Sequence, residues 1–143
     1  QRQMCIRDRV RMALEELAVK LACKMLTPEQ IEEIGSLADE FEQTLYGEDV
    51  GACAQADMRF HEAIYEATGN GRLVQILNNL REQMYRYRME YLKDRDAHQQ
   101  LVQEHAEILK ALAAGDVDRA LEASGRHIER QKEHIIGVLN AKE

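Results

Sequence analysis

The chain has 143 residues, enough for one domain around one hydrophobic core. Its net charge of −7 makes it a poor partner for nucleic acid on its own, because phosphate contacts need clustered Lys and Arg. The 45% hydrophobic and 31% charged content is that of a soluble globular domain, with no apolar run of membrane-spanning length and no signal-peptide pattern, so the parsimonious location is the cytoplasm.

The opening string QRQMCIRDR carries three arginines and no helical apolar stripe, and it resembles a translated sequencing adapter. Residues 1–9 are therefore expected to be non-native or disordered, and residues 10–143 to form a single helical domain. Val10, Leu14, Leu17, Leu21 and Met25 recur at the helical period and predict a first helix from about residue 8 to 25. Thr27-Pro28-Glu29-Gln30 predicts the next start: Thr27 caps, Pro28 suits the first helical position and Gln30 closes a capping box. Ile31, Ile34, Ala38, Phe41 and Leu45 carry that helix to about Tyr46, with Gly47 as terminator. A third helix runs from about Val50 to Thr68, where Gly69-Asn70-Gly71 breaks it.

A fourth is expected from about Arg72 to Lys93, with Leu73, Leu77, Leu80, Met84, Tyr87 and Tyr91 inward. Within it, Tyr85, Arg86, Tyr87 and Arg88 mix aromatic and basic character as some single-strand binders do. On a helix those side chains spread around the axis, which predicts a solvated face with Tyr87 turned in. A fifth helix from about Ala97 stops at Gly115, and Asp116 caps a sixth that presents Val117, Leu121, Ile128, Ile135 and Leu139 inward. No alternating strand pattern competes, so the fold class is all-α, an antiparallel bundle of about six helices. Cys5, Cys23 and Cys53 are isolated, which argues against a cysteine zinc site and against a disulfide framework.

The informative segment is Asp57-Met58-Arg59-Phe60-His61. Positions four apart share a helix face, so Asp57 and His61 point together, beside Phe60 and Ile64, on the face expected to be buried. A buried carboxylate costs several kcal/mol unless it is paired or bound to a cation. His105 falls on the apolar stripe of Leu101 and Ile108, and His127 at the edge of the inward face with Ala120 and Ser124. One Asp and three His suit a divalent transition metal, Zn first, with Ni, Mn and Fe also accepted by this set. Hydrogen-bonded core histidines and a buried Asp57–His61 ion pair are the plainer alternatives. His98 and His134 each lie seven residues from a proposed ligand and could serve as outer partners or substitutes.

Several strings taken jointly resemble a known family: Arg11-x-x-Leu14-Glu15, Asp57-x-x-Phe60-His61, Gly69-Asn70-x-x-Leu73, Glu104-His105-x-x-Ile108-Leu109-x-Ala111, Gly115-Asp116 with Ala120, and His127-Ile128. Their order and spacing resemble the metal-binding type of the FadR C-terminal (FCD) effector-binding domain of GntR-family transcription regulators, from about Val10 to the end. The resemblance implies that Asp57, His61, His105 and His127 are metal ligands, and that a small organic acid completes the metal shell with its carboxylate. Arg11 is implied as the partner of that acid group, a solvated surface arginine being the alternative; Arg81 and Asn78 are further effector-binding candidates. Also implied are a homodimer, no catalytic residues, and DNA contact through an N-terminal winged helix-turn-helix absent from this chain. A metal-dependent hydrolase or other metalloenzyme is the competing reading, since open metal positions can activate water. A di-iron carboxylate bundle is disfavoured, because no histidine has a glutamate three residues before it.

Overall fold

Helix starts here are written in short polar side chains, and the computed structural model, which describes residues 2–142 and the side chains of residues 6–137, uses them as caps. Helix α1 covers Arg2–Met25 and α2 covers Pro28–Thr44. The capping box of α2 is complete: Thr27 Oγ1 accepts from Gln30 N at 3.2 Å, and Gln30 Oε1 accepts from Thr27 N at 3.0 Å. Asp49 caps α3 (Val50–Glu66) through Ala52 N, and Asn70 caps α4 (Gly71–Asn79) through Leu73 N, each at 3.1 Å. After α5 (Arg81–Leu92) and a 3-10 turn (Arg95–Ala97) comes α6 (His98–Ala114). It ends at Gly115, whose φ of 66° is the left-handed cap that glycine adopts freely. Asp116 then caps α7 (Val117–Lys142) through Arg119 N.

Three expectations are corrected. The fourth helix is two helices, giving seven among the described residues. Leu80 has φ −93° and ψ −1°, outside the helical well, and its N–H reaches back to Leu77 O. Asn78 and Asn79 precede it, and their side chains compete with the helical backbone for hydrogen bonds. Second, α2 stops at Thr44, before Gly47; the Thr44 hydroxyl donates to Phe41 O at 2.6 Å. Third, the apolar stripe of α1 faces in only in part: Leu14 and Leu21 pack half-buried on the core. Val10, Leu17 and Met25 are 49%, 44% and 57% exposed, while Asp8, Arg11, Glu15, Ala18, Val19 and Ala22 are buried. The charged face turns inward because its groups find partners there. Arg11 Nη2 donates to Gln131 Oε1 of α7 at 3.2 Å, and the Tyr65 hydroxyl of α3 donates to Glu15. Leu139 and Cys5 lie outside the described side chains.

Helix α3 is the axis of the bundle. Phe60 and Ile64 pack with Val19, Ile34, Ile108 and Ala120. Cys53, Ala54 and Ala56 pack with Phe41, Tyr91, Leu92 and Leu101, and Met58 and Tyr65 with Ala18, Leu73, Leu77 and Met84. Only one edge of this helix, with Gln55, Arg59 and Glu66, meets solvent, so the polar groups on its other faces must be satisfied inside.

Candidate metal centre

Asp57 and His61 project from those inner faces of α3, His105 from α6 and His127 from α7. All four are buried, from 1% to 5% exposed. One ligand atom from each lies within 4.8 Å of the others. His105 Nε2 stands 2.8 Å and His61 Nε2 3.4 Å from Asp57 Oδ1, and His61 Nε2 is 3.2 Å from His127 Nε2. Donors about 2.0–2.1 Å from a shared cation would sit roughly 3–4 Å apart, so the cluster has the size of a coordination shell.

The hydrogen-bond ledger agrees with that fit. Asp57 Oδ1 and His105 Nε2, 2.8 Å apart, are both buried without a well-formed hydrogen bond, while Asp57 Oδ2 faces Arg88. Lone pairs crowded together at angles unsuited to proton sharing are what a cation would satisfy at once.

The ring of His105 is fixed by aromatic neighbours: Phe60 stacks on it at a centroid distance of 4.3 Å and Phe41 leans against it at 4.7 Å. Burial lowers the pKa of His61 well below its ordinary value, and Arg88 adds to the effect against Asp57. Burial lowers His105 likewise, with Asp57 opposing. Both are therefore held as neutral imidazoles, the form that donates to metals. Burial alone would raise Asp57, but the Arg88 guanidinium, with His61 and His105, holds its carboxyl well below the carboxylate range.

Two charged residues adjoin this centre. Arg88 was expected on a solvated face; it is 1% exposed, its Nε 2.5 Å from Asp57 Oδ2, and Tyr87 is only half-buried. The signal was present: Arg88 stands four residues after Met84 and three before Tyr91, on the stripe that α5 turns inward. Glu104 sits between Leu101 and Ile108 on the buried face of α6, and its Oε1 is 2.9 Å from His127 Nδ1. A charged residue on an apolar stripe is the mark of a partner on another helix.

Arg11 is buried beside the centre, its pKa lowered by burial, with Glu15 opposing at 3.9 Å. It is not a solvated surface group. Asn78 and Arg81 line an open groove of about 320 Å³ with Glu33, Glu62 and Tyr65; none of the four clustered ligands lines it. Arg81 Nε lies 3.2 Å from Glu62. His98 is spent on Leu92 O at 2.8 Å and His134 on the edge of Tyr91, and neither belongs to the cluster.

The all-helical bundle thus gathers one carboxylate and three histidines from three helices into a buried group that could hold a metal ion. The model of the FCD domain matches residues 9–130, and the chain belongs to that family, the regulatory domain of GntR-type transcription regulators. It is similar to a protein of Escherichia coli (strain K12) named "Putative L-lactate dehydrogenase operon regulatory protein", at 35% identity over 92 residues, which cover 62% of this chain and 35% of that protein. The protein of the same name from Shigella flexneri matches equally. The chain thus spans about a third of the length of these curated relatives, which are named as regulators and not as enzymes. The solved structure of E. coli McbR/YncC covers the whole chain and 70% of its own length at a TM-score of 0.84 and 21% identity, which supports the fold.

Proposed function

We propose that this domain is a metal-dependent sensor of a small organic acid. The carrying observation is the convergence of Asp57, His61, His105 and His127 at one buried point with hydrogen-bonding capacity left over. Those four residues would hold a divalent transition metal, Zn first among Zn, Ni, Mn and Fe. When bound, the ion supplies Lewis acidity and open positions for an anionic ligand. Charge supports an anionic effector. Asp57 already faces Arg88, and Glu104 faces Arg130 at 2.5 Å, so a dication held mainly by imidazoles would favour an added anion. A carboxylate would supply it. Arg11, buried and adjoining the centre through Glu15 and Tyr65, is the candidate for the acid group, with Arg81 and Asn78 as outer candidates.

Effector binding would favour one packing of the bundle and so alter operator binding by an N-terminal DNA-binding domain of the whole protein, which would act in the cytoplasm. Ile6, Val10 and Leu17 form an exposed apolar stripe on α1, which supports the homodimer expectation. Among the described residues no helix is long and apolar enough to cross a membrane.

The test is metal analysis followed by a thermal-shift screen of small hydroxy- and keto-acids, L-lactate among them because of the relatives' name, with and without chelator. About one equivalent of metal, lost in His105→Ala, and stabilisation by an acid only when metal is present are expected. A wild-type chain without metal, or acid binding indifferent to chelator, would overturn the proposal.

A further inference from the structure

A polar chain runs outward from His127. Glu104 is 3% exposed and uses both carboxylate oxygens: Oε1 lies 2.9 Å from His127 Nδ1, and Oε2 accepts from Arg130 Nη1 at 2.5 Å. Arg130 closes the chain at the surface, its side chain 38% exposed. The Gln100 amide oxygen, in the orientation that satisfies both groups, accepts from Arg130 Nη1 at 3.0 Å and from Nε at 3.2 Å. Gln100 and Glu104 stand one turn apart on α6, and His127 and Arg130 one turn apart on α7, so the array straddles the two helices.

The chemistry of the carboxylate fixes the proton. Ionised Glu104 can only accept, so His127 Nδ1 must donate. With Nδ1 turned to Glu104, Nε2 is the ring atom left to face His61 and a cation beside it. We infer that Glu104, itself held by Arg130, is a positioning residue for the bound cation: it fixes the tautomer and ring direction of His127 and thereby sets how firmly the metal is retained. The inference rests on the metal-centre reading above. It predicts something that a plain α6–α7 brace would not, because a brace contributes to the stability of the metal-free chain without changing its affinity for metal.

The experiment compares wild type, Glu104→Gln, Glu104→Asp and Arg130→Met in the purified chain, with Zn(II) affinity read by competition against a chromophoric chelator and Co(II) absorption as a second readout. Glu104→Gln is expected to weaken Zn(II) binding about tenfold to a hundredfold and to alter the Co(II) ligand-field bands. Glu104→Asp should recover part of the affinity, and Arg130→Met should fall between wild type and Glu104→Gln. Wild type with one equivalent of metal, and Glu104→Gln and Arg130→Met within twofold of it, would overturn the positioning role while leaving the metal centre standing. A wild type that binds no metal would sink both. If Glu104→Gln does not fold, Arg130→Met at its half-exposed position decides alone.

Discussion

Arg88→Met removes the guanidinium that faces Asp57 while keeping an unbranched apolar side chain in its place. The two side chains are 1% and 2% exposed and 2.5 Å apart, so water offers Asp57 almost no replacement for the lost charge. Breaking such a pair from one side costs about 3–5 kcal/mol, because it strands a buried charge. At roughly 2–4 °C per kcal/mol for a domain near this size, the metal-free variant should melt about 10 °C below wild type. A bound divalent cation supplies Asp57 with another positive partner. The metal-loaded variant should therefore recover much of the loss, and its metal-induced rise in Tm should exceed that of wild type. Differential scanning fluorimetry with and without Zn(II) measures both quantities. A metal-free variant melting within about 2 °C of wild type would refute the stranded-charge argument. A metal-induced shift no larger than that of wild type would refute the claim that the cation shares Asp57.

The metal-free chain should also be acid-sensitive from near pH 6.5. His61 and His105 have folded pKa values below their ordinary 6.5, so between the folded and unfolded values the unfolded chain binds more protons. Stability from this source is complete above about pH 6.5 and falls on acidification by about 1.4 kcal/mol per pH unit per histidine. Asp57, lowered well below 3.8, contributes above its unfolded value and loses that contribution only as pH drops further toward its folded one. Urea denaturation from pH 7.5 to pH 5 checks the slope; a flat profile would contradict it. Two glycines offer a contrast free of the centre, since a Cβ at either would meet nothing within 4 Å. Gly115→Ala should cost about 1 kcal/mol, because its φ is +66°, whereas Gly125→Ala in the body of α7 should add about 0.5–1 kcal/mol. Thermal melts of both should move in opposite directions with metal affinity unchanged.

What the sequence determined by itself is what depends on neighbours along one helix. The capping box at Thr27, the cap at Asp116, the glycine stop at Gly115 and the shared face of Asp57 and His61 all follow from residues close in the chain. His105 and His127 were legible as inward because apolar residues flank them on the same stripe. The tertiary structure decided what depends on partners from other helices. It rotated α1 so that Arg11 and Glu15 face in and Val10 faces out, broke the fourth helix at Leu80, and drew Arg88 and Glu104 inside. Read along its own helix, a charged side chain belongs in water. Only when a countercharge arrives from a different helix does burial become the lower free-energy state, and that arrival is a property of packing, not of local spacing.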